Sequence, residues 1–175
     1  MEAQTLKGTD AARALAIGKV VEQESALVFE RFDETTAFEI GCTIRDRALA
    51  SGQGLVVDVR LWDRQLFYAA LAGSSAITAE WARRKFNSVR MFHRSSYRLA
   101  LEQQREDRAF PPGYGLNPTD YALAGGAFPI RVQAVGVIGA FVVSGLSERA
   151  DHETAVAALC AYLGKDERLL ALDQT

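Results

Sequence analysis

Several residues in this 175-residue sequence carry functional groups at spacings that chemistry could use. Gly125-Gly126-Ala127-Phe128-Pro129-Ile130, then Val143-Ser144-Gly145-Leu146 and Asp151-His152-Glu153, put a glycine pair, a hairpin and a histidine at a helix start into one window. That combination predicts a pocket. The glycine pair permits positive φ or a close approach of backbone to a ligand. His152 aligns with Val156, Leu159 and Leu163, so its ring is expected at the core edge, where burial and the helix dipole both disfavour imidazolium. Neutral imidazole could ligate a metal or accept a proton, with Asp151 capping the helix or orienting the ring. The plainer alternative is a histidine satisfied by a backbone carbonyl.

A second set lies on one long helix expected from Thr78 to about Arg105. Its period puts Trp81, Lys85, Phe92, Ser96 and Leu99 on an inward face. A buried Lys85 ammonium must meet a carboxylate, a carbonyl, a ligand anion or water; otherwise its stem packs and its charge snorkels out. Arg83, Arg90, Arg94, Arg98 and Arg105 form a basic stripe on the opposite face, with Glu80, Glu102 and Glu106 near enough to pair with it. Without interleaved aromatics it reads as a solvated or subunit-facing surface rather than a nucleic-acid groove. His93, among those arginines, reads as a surface residue. Ser95, Ser96 and Ser144 could approach the pocket, although no Ser/His/Asp spacing, GxGxxG motif, Walker loop or metal-ligand spacing is present.

The elements that must position these groups follow from periodicity. A helix is expected from Asp10, as its cap, to Leu27, then a short strand at Val28–Phe32 and a second helix opened by Asp33 and closed at Ser51-Gly52. Leu55–Val59 and Gln65–Leu71 form a first hairpin. After the long helix comes a loop marked by Pro111-Pro112-Gly113 and Asn117-Pro118. Ile130–Val135 and Val137–Ser144 form a second hairpin, whose second strand is apolar on both faces and therefore central. Ala150–Leu163 is the closing helix. The fold class is α/β, a central antiparallel sheet of two hairpins with helices on both faces. It is a single domain over 1–175, with a core of about 10–164 and a charged tail, 165–175, expected to fray.

Composition sets outer bounds. Hydrophobic residues make up 49% and charged residues 24%, the balance of a globular chain. Lys+Arg 20 against Asp+Glu 22 gives a formal charge of -2, which supplies no global field for nucleic acid or an anionic membrane. Cys42 and Cys160 are far apart and read as buried free thiols. The longest apolar run, Val135–Val143, is too short to span a bilayer, and no signal-peptide core is visible, so a cytoplasmic location is expected.

The ordered set Leu66-Phe67, Glu80-Trp81-Ala82-Arg83-Arg84-Lys85, Ser95-Ser96-Tyr97, Asp120-Tyr121, Gly125 to Ile130, Gly136-Val137-Ile138-Gly139, Val143 to Leu146 and Asp151-His152 resembles the haem-degrading-domain family. Within it the sequence is most similar to the uncharacterised protein family 0303 branch, a relative of GlcG-like and HbpS-like proteins. The resemblance runs from about Glu24 to Leu163. It implies a profilin-like or PAS-like fold and a homo-oligomer. It also implies that Trp81, Arg83, Lys85, Ser95, Ser96, Gly125, Gly126, Ser144, Gly145, Asp151 and His152 lie near one another. Some relatives bind or degrade haem, but no axial haem ligand is carried onto a residue of this chain. Three functions are thereby open: a domain binding haem or another small anionic ligand, a scaffolding oligomer without catalysis, or an enzyme using His152 and Lys85.

Overall fold

The computed structural model describes residues 2–173, with side chains from residue 10 onward. The chain runs through α1 (Glu2–Ala26), β1 (Val28–Phe29), α2 (Glu34–Ala50), β2 (Val56–Leu61), β3 (Gln65–Ala70), α3 (Ala76–Phe92), α4 (Ser96–Gln103), a 3-10 turn at Pro112–Tyr114, β4 (Ala127–Val132), β5 (Gly136–Ser144), α5 (Glu148–Leu163) and α6 (Glu167–Leu170). Five strands form one sheet in the order β1-β4-β5-β2-β3, antiparallel except where β1 runs parallel to β4. The two expected hairpins are β2–β3 and β4–β5, joined through β2 and β5. The doubly apolar β5 is the middle strand, as its composition requires.

Alternation along the strands divides the core in two. Val57, Val59, Phe141 and Val143 point to the face covered by α2 and α5, where they meet Ile40, Ile44, Ala155 and Leu159. Val56, Ala140 and Val142 point to the other face and pack on Ala82, Phe86 and Val89 of α3. Asp33 caps α2 by accepting the Thr36 backbone N–H at 2.8 Å.

Four sequence expectations need correction. The long helix is two helices: α3 stops at His93, which takes a left-handed conformation (φ 54), and α4 begins after Ser95. Turning the chain here lets α4 pack against α1. The residue before α3 is Ser75, not Thr78; Thr78 lies one turn inside and accepts the Ser75 N–H. Asp10 caps nothing, because α1 has already begun, and it pairs with Arg13 at 3.1 Å instead. The tail is not loose within the described residues: Asp166 caps α6, and Leu170 and Leu172 are buried. Apolar side chains at 170 and 172 outweigh the charges around them, since each buried leucine contributes about 1.5–3 kcal/mol. Gln174 and Thr175 lie outside the described residues. Among the described residues, no helix is long and apolar enough to cross a membrane.

Candidate functional site

Beside the α3 face that packs on the sheet, Ile77, Trp81 and Lys85 form a row at successive turns. Its last member is the polar exception. Lys85 is buried, yet its Nζ donates to Asp151 Oδ2 at 2.7 Å and to the Val143 carbonyl at 3.2 Å. An ammonium has three donors, so one remains. Asp151, in the first turn of α5, also accepts the Leu146 N–H at 2.9 Å and the Gly145 N–H at 3.4 Å. One ion pair therefore fastens α3, the end of β5 and the start of α5 together. Burial pushes the Lys85 ammonium below the ordinary lysine range, and the Asp151 carboxylate opposes part of that shift.

Gly126 makes this approach feasible. Its φ of 124 is one that side-chain-bearing residues rarely adopt, and a Cβ there would stand 2.9 Å from both Lys85 Nζ and Asp151 Cβ and collide with the Val143 carbonyl. Gly125 is equally constrained by the Glu148 carbonyl and the Tyr97 ring. The glycine pair is thus a packing device around the ion pair.

Above Lys85 and Asp151 opens a cleft of about 220 Å3 whose lining includes Trp81, Ser144, Gly145 and Arg108. Ser144 is 2% exposed, and its hydroxyl has no hydrogen bond to another described residue. Arg108 is held at the mouth by Glu148 at 2.9 Å, with its guanidinium 5.5 Å from the Trp81 ring centre. Arg84 lies over the same ring at 3.9 Å. The cleft accordingly has an indole wall, a hydroxyl, and two cations that are each paired with a carboxylate of the lining, Arg108 with Glu148 and Lys85 with Asp151.

Of the sequence-derived candidates, Trp81, Lys85, Ser144, Gly145 and Asp151 line this cleft, and Gly125 and Gly126 lie buried behind it. Four others are elsewhere. Arg83 turns away, to Asp120 at 3.0 Å, the Thr119 carbonyl at 2.7 Å and Glu80, because its position on α3 faces the 117–120 loop. Ser95 is the N-cap of α4, its N–H donating to buried Glu24 at 2.7 Å. Ser96 Oγ accepts the Ala127 N–H at 3.0 Å, holding the start of β4. His152, next to Asp151 on α5, is not part of the cleft lining. Its ring is fully buried beside Tyr97 and Phe128, and Nε2 is 2.8 Å from Gln23 Oε1.

Since Gln23 Nε2 donates to the Leu170 carbonyl at 2.7 Å, its oxygen faces the ring and Nε2 of His152 carries the proton. Nδ1 is left without a partner. Desolvation lowers the His152 pKa to about 3, so the ring is neutral. The arginine stripe is also spoken for in part, Arg98 by Glu24 and Glu102 and Arg94 by Glu102. Ile77 and Thr78 were missed in the sequence although helical spacing from Trp81 and Lys85 reaches them. Arg108 and Glu148 gave no such signal, because they come together only across the loop that precedes β4. No cluster of three His, Cys, Asp or Glu side chains that could hold a metal is found among the described residues.

Residues 32–160 match the family described as haem degrading protein HbpS-like. The chain belongs to the HbpS-like family. Within it, a UPF0303 protein of Mesorhizobium japonicum is 56% identical over 156 residues, covering 89% of this chain and 93% of that protein. A UPF0303 protein of Brucella melitensis is 55% identical over 157 residues, covering 90% and 93%. Among solved structures, the Ybr137w protein superposes with a TM-score of 0.77 at 23% identity, covering 85% of this chain and 87% of that one. The PduOC:Heme complex gives 0.62 at 16% identity, covering 77% and 95%. At such identities these structures share the HbpS-like fold with this chain and nothing finer.

Proposed function

We propose that this HbpS-like protein is a small-ligand-binding domain whose cleft takes a compact anion with a flat or apolar body, a small carboxylate being the best match. The observation that carries this is the gathering of donors around one opening walled by Trp81: the third hydrogen of Lys85, the Ser144 hydroxyl, and the N–H groups of Arg108 left over from its pair with Glu148. Charge-assisted hydrogen bonds from Arg108 and Lys85 would hold a carboxylate, and the indole would cover its carbon skeleton. Thermal shift and calorimetry with lactate test the reading. Saturable stabilisation is expected, weakened at least tenfold in Arg108→Gln; no saturable response to lactate, acetate or inorganic phosphate would overturn it.

The same reading assigns this cleft an anion smaller than haem, the ligand that the family description suggests. About 220 Å3 falls below the roughly 300–1,000 Å3 of pockets that enclose drug-sized ligands. The one nearby histidine, His152, is fully buried outside the cleft lining, with its Nε2 committed to Gln23. A haem titration followed at the Soret band is expected to give the same spectra for the wild type and His152→Asn. A spectrum that depends on His152 would count against this assignment.

A second reading, self-association, rests on a different surface. Strand β3 has one neighbour in the sheet, and Phe38 and Leu49 of α2 and Tyr68 of β3 are exposed. An open strand edge with apolar side chains around it favours a subunit contact. Light scattering at micromolar concentration should find a homo-oligomer that Tyr68→Lys weakens.

A further inference from the structure

Lys85 differs from the other described lysines, Lys19 and Lys165, in a way that bears on reactivity as well as binding. Lys19 forms an exposed ion pair with Glu22, and Lys165 is exposed. Lys85 lines the cleft with its side chain buried, a carboxylate at 2.7 Å and one N–H without an acceptor. A primary amine so fixed, beside a proton acceptor and beneath a cation that would orient an acid, is the constellation that carbonyl condensation needs.

We propose that Lys85 condenses with the carbonyl carbon of a small 2-oxo acid bound in the cleft, forming a protonated imine, with Asp151 moving the protons and Arg108 and Ser144 orienting the acid. This deepens the ligand-binding reading and rests on it. Asp151 first takes a proton from the ammonium. The freed nitrogen lone pair attacks the carbonyl carbon, a C–N bond forms, and the former carbonyl oxygen becomes the hydroxyl of a carbinolamine by taking a second proton from nitrogen. Asp151 then returns its proton to that hydroxyl, water leaves, and the nitrogen lone pair closes the C=N bond. One ammonium and one ketone give one iminium and one water, so charge and atoms balance without an external oxidant or reductant. Burial favours the neutral amine, the reactive form. The volume of about 220 Å3 accommodates acids of a few carbons.

The experiment incubates the full chain with pyruvate, adds borohydride to reduce any imine to a stable secondary amine, and locates the adduct by peptide mapping. One adduct per chain on the peptide containing Lys85 is expected, with Lys7, Lys19 and Lys165 unmodified. Lys85→Arg, which keeps a cation beside Asp151, should abolish trapping, and Arg108→Gln should slow it at least tenfold while circular dichroism stays native. Lactate, which has no carbonyl to condense, separates the two readings. Stabilisation by lactate with no pyruvate adduct on Lys85 would overturn the covalent step and leave the binding reading standing; no stabilisation by either acid and no adduct would overturn both. Adducts spread equally over the lysines would also overturn the inference.

Discussion

Lys85 and Asp151 each sit where a lone charge would be costly, and each is acceptable because of the other. Taking two ions out of water costs several kcal/mol apiece, repaid only by close geometry and by satisfaction of the remaining hydrogen-bonding positions. Asp151 meets that condition with two backbone N–H groups, and Lys85 meets it in part, with the Val143 carbonyl. Removing one partner strands the other. Lys85→Met is therefore expected to lower unfolding free energy by roughly 3–5 kcal/mol in urea titrations. Adding Asp151→Asn should restore much of that loss, because an amide oxygen still accepts the Leu146 N–H and no buried charge remains. Had the pair been a solvated bridge, both variants would fall within about 1 kcal/mol of the wild type.

At the level of elements, the packing of α1 on α4 depends on a polar joint that the sequence did not disclose. Glu24 reaches from α1 to the N-terminus of α4, taking the Ser95 N–H at 2.7 Å and Arg98 Nη1 at 2.8 Å. Glu24→Ala leaves both donors without their acceptor, and a loss of about 3 kcal/mol is expected, with amide exchange accelerated in α1 and α4 before the sheet. Ser95 and Ser96 were legible as important but not in what they do. The same residue types that line pockets also cap helices and hold strand ends, and only the break at His93 decides between those roles. The two hairpins, the central place of β5 and the inward direction of Lys85 could be read from alternation and helical period, since these are local properties. The Lys85–Asp151 partnership, the Arg108 gate and the Gln23 contact to His152 could not, because each joins residues 40 or more positions apart in the chain, a separation on which periodicity is silent.

Over the whole molecule, stability should fall in mild acid, and His152 sets the sign. Its folded pKa, about 3, lies below the ordinary 6.5, so the unfolded chain binds the extra proton first. The contribution is complete above pH 6.5 and lost progressively as pH falls towards 3. Between pH 7 and 5 about 2 kcal/mol should disappear, at 1.36 kcal/mol per pH unit below 6.5. Asp58, raised by burial, acts in the opposite direction, so the informative comparison is with His152→Asn, whose stability should vary less over that interval. Parallel slopes for the two proteins would show that His152 is not the sensor.

The strand order also governs how the molecule is assembled in time. Each hairpin closes a short loop, whereas the ladder between β2 and β5 must wait until the chain from Gln65 to Gly136, with α3 and α4 inside it, has folded back on itself. Closing that long loop is the entropically slow event, and the ion pair under the cleft spans it as well. Trp62, on the first hairpin, rests 5.7 Å from Phe86 of α3, and its indole N–H donates to the Val137 carbonyl at 3.1 Å. Its fluorescence should consequently change in the same kinetic phase that completes the cleft, so that a stopped-flow trace of refolding reads out the birth of the binding site rather than collapse in general.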